Sequence, residues 1–200
     1  MKLNPEQANA VSHIHTPLLV LAGAGSGKTR VITEKIKYLV EKEFYDPRSI
    51  YAVTFTNKAA KEMADRLVGT IGKARGRKVR VSTFHNLGLS ILKKHGQLIG
   101  LRKGFSIYDQ KDTFQLMESL IETDADTIRI ALDRISTWKN DMRTLHSLRA
   151  SAIDEYELAL VDLYERYQTQ MLSYNALDFD DLILMPMRLL QENAEVRRYW

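Results

Sequence analysis

The sequence predicts an α/β fold: a parallel sheet with flanking helices, followed by a helical domain. Three observations carry this. Apolar runs at 18–21, 50–55 and 79–82 are each followed by apolar residues at helical spacing, the order of successive β-α units. The first run breaks into three closely spaced glycines before its helix. From Asp109 to Tyr174 the apolar period changes to three and four residues, the signature of helices alone. With 44% hydrophobic and 27% charged residues, the 200-residue chain can bury a core in one or two domains.

The elements follow in order. Asn4-Pro5-Glu6-Gln7 reads as a helix start, with Asn4 as cap, Pro5 in the first helical position and Gln7 as capping-box partner. Pro17 ends that segment, and the continuous apolar run at 18–21 predicts a strand covered on both faces. Val31, Ile32, Ile36, Leu39 and Val40 form the buried stripe of a helix reaching about Glu43. Asp46-Pro47 marks a turn before the strand at 50–55. Thr56 or Asn57 then caps a helix with Ala59, Ala60, Met63, Leu67 and Ile71 inward. Residues 72–78 read as a basic loop, and the strand at 79–82 delivers Thr83-Phe84-His85 at its carboxyl end. In open α/β sheets, ligands gather at the carboxyl ends of strands. After a connection at 96–104 the chain is helical, and Trp138 reads as a core residue. Ala176 to Leu182 starts a last helix, with Asp178 as cap and Asp180 and Asp181 favourable at its amino end.

The glycine break is chemically specific. Ala22-Gly23-Ala24-Gly25-Ser26-Gly27-Lys28-Thr29-Arg30 has the strand, loop, helix order of a phosphate-binding loop. Glycines let successive backbone N–H groups turn inward around phosphate oxygens, and a helix N-terminus adds its own donors. Lys28 would reach the β and γ phosphates, and the Thr29 hydroxyl would be a Mg²⁺ ligand. Ala22 stands where the general pattern has glycine.

Charge is divided unevenly along the chain. Residues 1–105 hold 19 Lys and Arg against 7 Asp and Glu, a balance of +12, and the remainder holds 10 against 18, a balance of −8. A basic half fits a polyanion, nucleic acid first. The absence of cysteine excludes a disulfide framework and a cysteine-ligated metal site. No run has the length of a membrane span and the amino terminus lacks a signal-peptide pattern, so a soluble cytoplasmic protein is expected.

Four segments together resemble superfamily 1 DNA helicases of the Rep and UvrD type, with spacing closest to the Rep branch. Leu3-Asn4-Pro5-Glu6-Gln7 resembles the adenine-recognising Q motif. Residues 22–30 resemble motif I, which in this family commonly begins with alanine. Val53-Thr54-Phe55-Thr56-Asn57-Lys58-Ala59-Ala60 resembles motif Ia, and Ser82-Thr83-Phe84-His85 motif Ib. Ile135-Ser136-Thr137-Trp138-Lys139-Asn140 and Leu177-Asp178-Phe179-Asp180-Asp181-Leu182 match family segments of the helical subdomain and of the return from it.

The resemblance implies a RecA-like P-loop NTPase fold: residues 1–95 as an incomplete first motor domain, 96–176 as an inserted all-helical subdomain, and 177–200 as the return. It implies ATP with Mg²⁺ as cofactors, single-stranded DNA as partner, and translocation from 3′ to 5′. Gln7 would bond the adenine, Arg30 would lie near the base or ribose, and Phe55, Asn57, Thr83 and His85 would line the DNA path. In that family the acidic pair completing the Mg²⁺ site lies beyond the position matching Trp200. The expectation is therefore an amino-terminal part that binds ATP and DNA and hydrolyses little. Two alternatives stand beside it: a non-catalytic nucleotide- or DNA-binding module, and a different P-loop enzyme such as a nucleotide kinase.

Overall fold

A computed structural model describes residues 3–200, which fall into two compact units meeting in sequence at Phe84 and His85. In the first unit, helix α1 (Pro5–Ser12) precedes α2 (Lys28–Glu41), strand β1 (Tyr51–Thr54), α3 (Asn57–Ile71), α4 (Lys73–Gly76) and strand β2 (Arg80–Thr83). β1 and β2 pair in parallel, from Tyr51 opposite Arg80 to Thr54 opposite Thr83, so both carboxyl ends fall at the same edge. The core packs Ile36 and Val40 of α2 against Ala52, Met63, Leu67 and Val79. Lys35 secures α1 by donating to the carbonyls of Ala10 and His13.

The sheet is smaller than the sequence predicts. Residues 18–21 form no strand, and Leu19 and Leu21 are 82% and 86% exposed. A four-residue run becomes a strand only when a neighbour takes its backbone bonds, and the ladder of this unit pairs β1 with β2 alone among the described residues. A full P-loop parallel sheet is therefore not formed by the described residues. Ile32 is likewise exposed rather than buried. The expected basic loop at 72–78 contains the short helix α4, pressed so closely on α3 that a Cβ on Gly76 would stand 2.7 Å from the Val68 Cα.

The second unit contains α5 (Phe84–His95, its first residue just before the boundary), strand β3 (Ser106–Ile107), α6 (Gln110–Leu120), α7 (Ala125–Asn140), α8 (Leu145–Ser151), α9 (Glu155–Ser173), strand β4 (Ala176–Leu177), α10 (Asp181–Glu192) and α11 (Ala194–Tyr199). Its main core gathers Met117, Ile128, Ile135, Trp138, Tyr167 and Met171, placing Trp138 in the interior as expected. A smaller cluster joins Ile91 and Leu92 to Leu177, Leu182 and Leu189.

Two features depart from expectation. The helical segment is not wholly helical, because β3 and β4 pair in parallel across it, Ser106 opposite Ala176 and Ile107 opposite Leu177. The last long helix begins at Asp181, with Asp180 rather than Asp178 in the cap position. The reason is that residues 176 and 177 are spent on the β4 ladder, so the helix cannot start until the chain has turned.

Candidate functional site

The loop before α2 has the backbone its sequence demands. Gly25 and Gly27 take φ of +74° and +88°, the left-handed region that favours glycine. A Cβ built on Gly23 or Gly25 would meet nothing within 4 Å, so no neighbour crowds the loop at these two positions. α2 starts at Lys28, and the Val31 N–H closes its first turn on the Gly27 carbonyl at 3.0 Å. Donors earlier in that turn have no preceding helical carbonyl to bond. The Lys28 ammonium folds back, donating to the carbonyls of Ala22 at 2.9 Å and Gly23 at 2.7 Å. Thr29 is exposed beside it, and Arg30 is half-buried.

Gln7 joins α1 to this loop. It forms the expected capping box with Asn4: its N–H donates to Asn4 Oδ1 at 2.8 Å and its Oε1 accepts from the Asn4 N–H at 3.1 Å. Its remaining amide donor reaches the Ser26 carbonyl at 3.0 Å. One side chain thus caps a helix and steadies the glycine loop, 19 residues away in sequence. The residues present would fit a phosphate, with Mg²⁺ on the Thr29 hydroxyl: a glycine loop, a helix N-terminus, a long-armed ammonium and a hydroxyl. Among the described residues no cluster of three His, Asp or Glu side chains is arranged to hold a metal.

The other predicted residues lie where the strands end. Phe55 follows β1 and is 91% exposed, with its ring 5.8 Å from that of Phe84. Thr56 caps α3 by accepting from the Ala59 N–H at 3.1 Å, and Asn57 is exposed in the first helical position. Thr83 ends β2 and is buried. In the second unit, His85 is exposed in the first turn of α5, and its ring meets Phe179 edge-on at 6.1 Å. Phe84 and the half-exposed Phe179 were not among the predicted site residues. For Phe84 the signal was an aromatic inside Thr-Phe-His; for Phe179 it was an aromatic between two acids, which a core reading hides.

One buried polar cluster was missed entirely. Lys139 of α7, 1% exposed, donates to Asp178 Oδ2 at 2.6 Å and to Asp181 Oδ1 at 2.8 Å. Tyr167 donates to the same Asp178 oxygen at 3.0 Å. Burial opposes the Lys139 charge, but the carboxylates of Asp181 and Asp178 outweigh it and raise its pKa. Burial likewise works against the Asp178 carboxylate, yet Lys139 and its hydrogen bonds hold it below the usual range. Asp181, deeper still, is pushed up to about 6 by burial, against the pull of Lys139. Burial and the adjacent Asp178 raise Tyr167, so it stays a donor.

Residues 3–200 match the family model described as the UvrD/REP helicase N-terminal domain. Over its whole length the chain is 47% identical to the ATP-dependent DNA helicase Rep of Escherichia coli (strain K12). It is 39% identical to the ATP-dependent DNA helicase PcrA of Leuconostoc citreum over 97% of the chain, and 39% identical to UvrD1 of Mycobacterium tuberculosis over 99%. The chain spans about 30% of the length of Rep and 27% of the other two.

Proposed function

The chain belongs to the UvrD/REP helicase family through its N-terminal domain, and from that premise we propose that it is the nucleotide- and DNA-binding amino-terminal part of an ATP-dependent DNA helicase. The observation carrying this is the loop at 22–30: two left-handed glycines, no neighbour within 4 Å of a Cβ on Gly23 or Gly25, and Lys28 as the first residue of a helix. In this reading residues 1–95 and 177–200 belong to the first motor domain and 96–176 to its inserted subdomain.

The backbone from Ala22 through Gly27 wraps the phosphates, and Lys28 exchanges two loop carbonyls for phosphate oxygens. The two carbonyls it leaves already accept hydrogen bonds from its ammonium, so phosphate oxygens replace like with like. The Thr29 hydroxyl would hold Mg²⁺, which would supply neutralisation of phosphate charge. Arg30 lies toward the base or ribose. Gln7 turns its amide from Ser26 to the adenine, which couples base recognition to the loop that holds the phosphates. Phe55, Asn57, Thr83 and His85 mark the path of single-stranded DNA, with aromatic faces that stack on any base. Movement along that strand is from 3′ to 5′.

The resemblance puts the acidic pair that completes the Mg²⁺ site outside these 200 residues, which in this reading bind ATP and turn over little of it. Titration with ATP and Mg²⁺ tests the reading. Replacing Lys28→Ala weakens ATP binding by about tenfold or more, the worth of charge-assisted phosphate bonds, and an unchanged affinity overturns the assignment. A DNA-stimulated ATPase rate equal to that of an entire helicase overturns the limited turnover.

A further inference from the structure

The two family-like segments that the phosphate loop and the strand ends do not explain, 135–140 and 177–182, meet in the buried cluster of the second unit. Lys139 bridges Asp178 and Asp181. The turn is closed on itself as well: the Asp181 N–H donates to Asp178 Oδ1 at 2.9 Å and the Asp178 N–H to Asp181 Oδ2 at 3.3 Å. Asn140, next to Lys139, donates to Asp180 Oδ1 at 3.1 Å, and Tyr167 of α9 holds Asp178 from a third side. All three acids of the turn are therefore engaged, and Phe179 is left as the residue that projects.

That turn braces α5 at two points. The Phe179 ring lies edge-on to His85. Three residues along α5, Gly88 meets the Leu182 carbonyl so closely that no Cβ would fit between them. Positions i and i+3 share a helix face, so His85 and Gly88 bear on the same clamped segment. Buried ionic clusters give little net stability compared with well-packed apolar side chains, and their best-attested use is to fix one geometry.

We propose that Lys139 is a positioning residue for the end of α5 that carries His85, acting by holding the 178–182 turn against His85 and Gly88. Its consequence for DNA binding rests on the reading of His85 given above; the positioning itself does not.

The test uses the chain with Lys139→Met and, beside it, Lys139→Met combined with Asp178→Asn and Asp181→Asn, which leaves no buried charge unpaired and keeps the chain foldable if the single variant is not. The His85 ring-proton resonance, assigned by its loss in His85→Gln, reports the edge-on Phe179 ring, whose contribution is calibrated with Phe179→Leu. In a folded Lys139 variant this resonance moves toward its Phe179→Leu position. Affinity for a fluorescein-labelled oligothymidine falls by about tenfold, the scale of one lost base stack, while ATP affinity is unchanged. An unmoved His85 resonance in a folded variant overturns the proposal. A moved resonance together with no oligothymidine binding by the unaltered chain upholds the positioning and overturns the DNA reading of His85.

Discussion

Gly88 and Leu182 touch backbone to backbone, with the Leu182 carbonyl oxygen occupying the space a Cβ on Gly88 would need. A carbonyl cannot rotate away as a flexible side chain can, so Gly88→Ala forces α5 and the start of α10 apart. Overpacking of this kind costs about 1–3 kcal/mol. Urea denaturation of the variant shows a lower midpoint with an unchanged slope. Alanine at Gly23, which has no neighbour within 4 Å of the added carbon, leaves the midpoint in place.

Gln7 has two separable tasks. Gln7→Glu keeps the oxygen that accepts from the Asn4 N–H and adds a charge favourable near a helix start, but it loses the amide donor to Ser26. Gln7→Ala loses both. Amide hydrogen exchange in α1 therefore stays slow in the glutamate variant and quickens in the alanine variant, a difference of about 0.5–1.5 kcal/mol for the missing bond. ATP affinity falls in both if the proposed adenine contact of Gln7 holds, because both variants remove that amide and free the loop at Ser26. Equal exchange in the two variants would contradict the capping role.

Local signals made much of this readable in advance. The Asn4–Gln7 box, the glycine loop, the start of α2 at Lys28 and the Thr56 cap each depend on residues within a few positions of one another. What sequence could not supply was the partner. The run at 18–21 looks like a strand because its residues are apolar, but strand formation depends on a neighbour that periodicity does not reveal. Asp178 and Asp181 look like helix-start acids for the same reason: their local pattern is identical to a cap. The lysine that makes them a clamp is 39 residues away from Asp178, on a different helix.

Asp181 gives stability a pH signature of definite sign. Its folded-state pKa, near 6, lies above the ordinary value of 3.8. Between about 4 and 6 the folded chain holds a proton that the unfolded chain has released, so this group's contribution to stability falls as pH rises through that window. Asp178 is shifted the other way, and its contribution is lost only as pH falls below about 4. Asp181→Asn removes the first effect while keeping an oxygen for Lys139. Urea midpoints of the two proteins therefore diverge in favour of the variant as pH is raised from about 4 to about 7. Midpoints that stay parallel would show that Asp181 is ionised throughout. Tyr167→Phe, which deletes one hydrogen bond to Asp178, lowers stability by about 1–3 kcal/mol at neutral pH because a buried carboxylate loses a donor.

Stacking and charge at the ends of the strands separate by their response to salt. Phe55 is almost fully exposed and packs only loosely near Phe84, so Phe55→Ala removes a stacking face without opening a cavity in the core. Affinity for single-stranded DNA then drops by about 1–3 kcal/mol, by a similar factor at low and high salt, since stacking releases no counterions. Lys58 and Lys61 are exposed on the first turns of α3, immediately after the Phe55–Asn57 segment. Lys58→Ala weakens binding mainly at low salt and makes the salt dependence shallower by about one counterion, the share of a single neutralised phosphate. Fluorescence titrations at two salt concentrations distinguish the two variants. If Phe55→Ala instead flattened the salt dependence, its ring would be orienting a cation toward phosphate rather than stacking on a base. If both left affinity unchanged while the fold stayed intact, the strand ends of this unit would not be the DNA path.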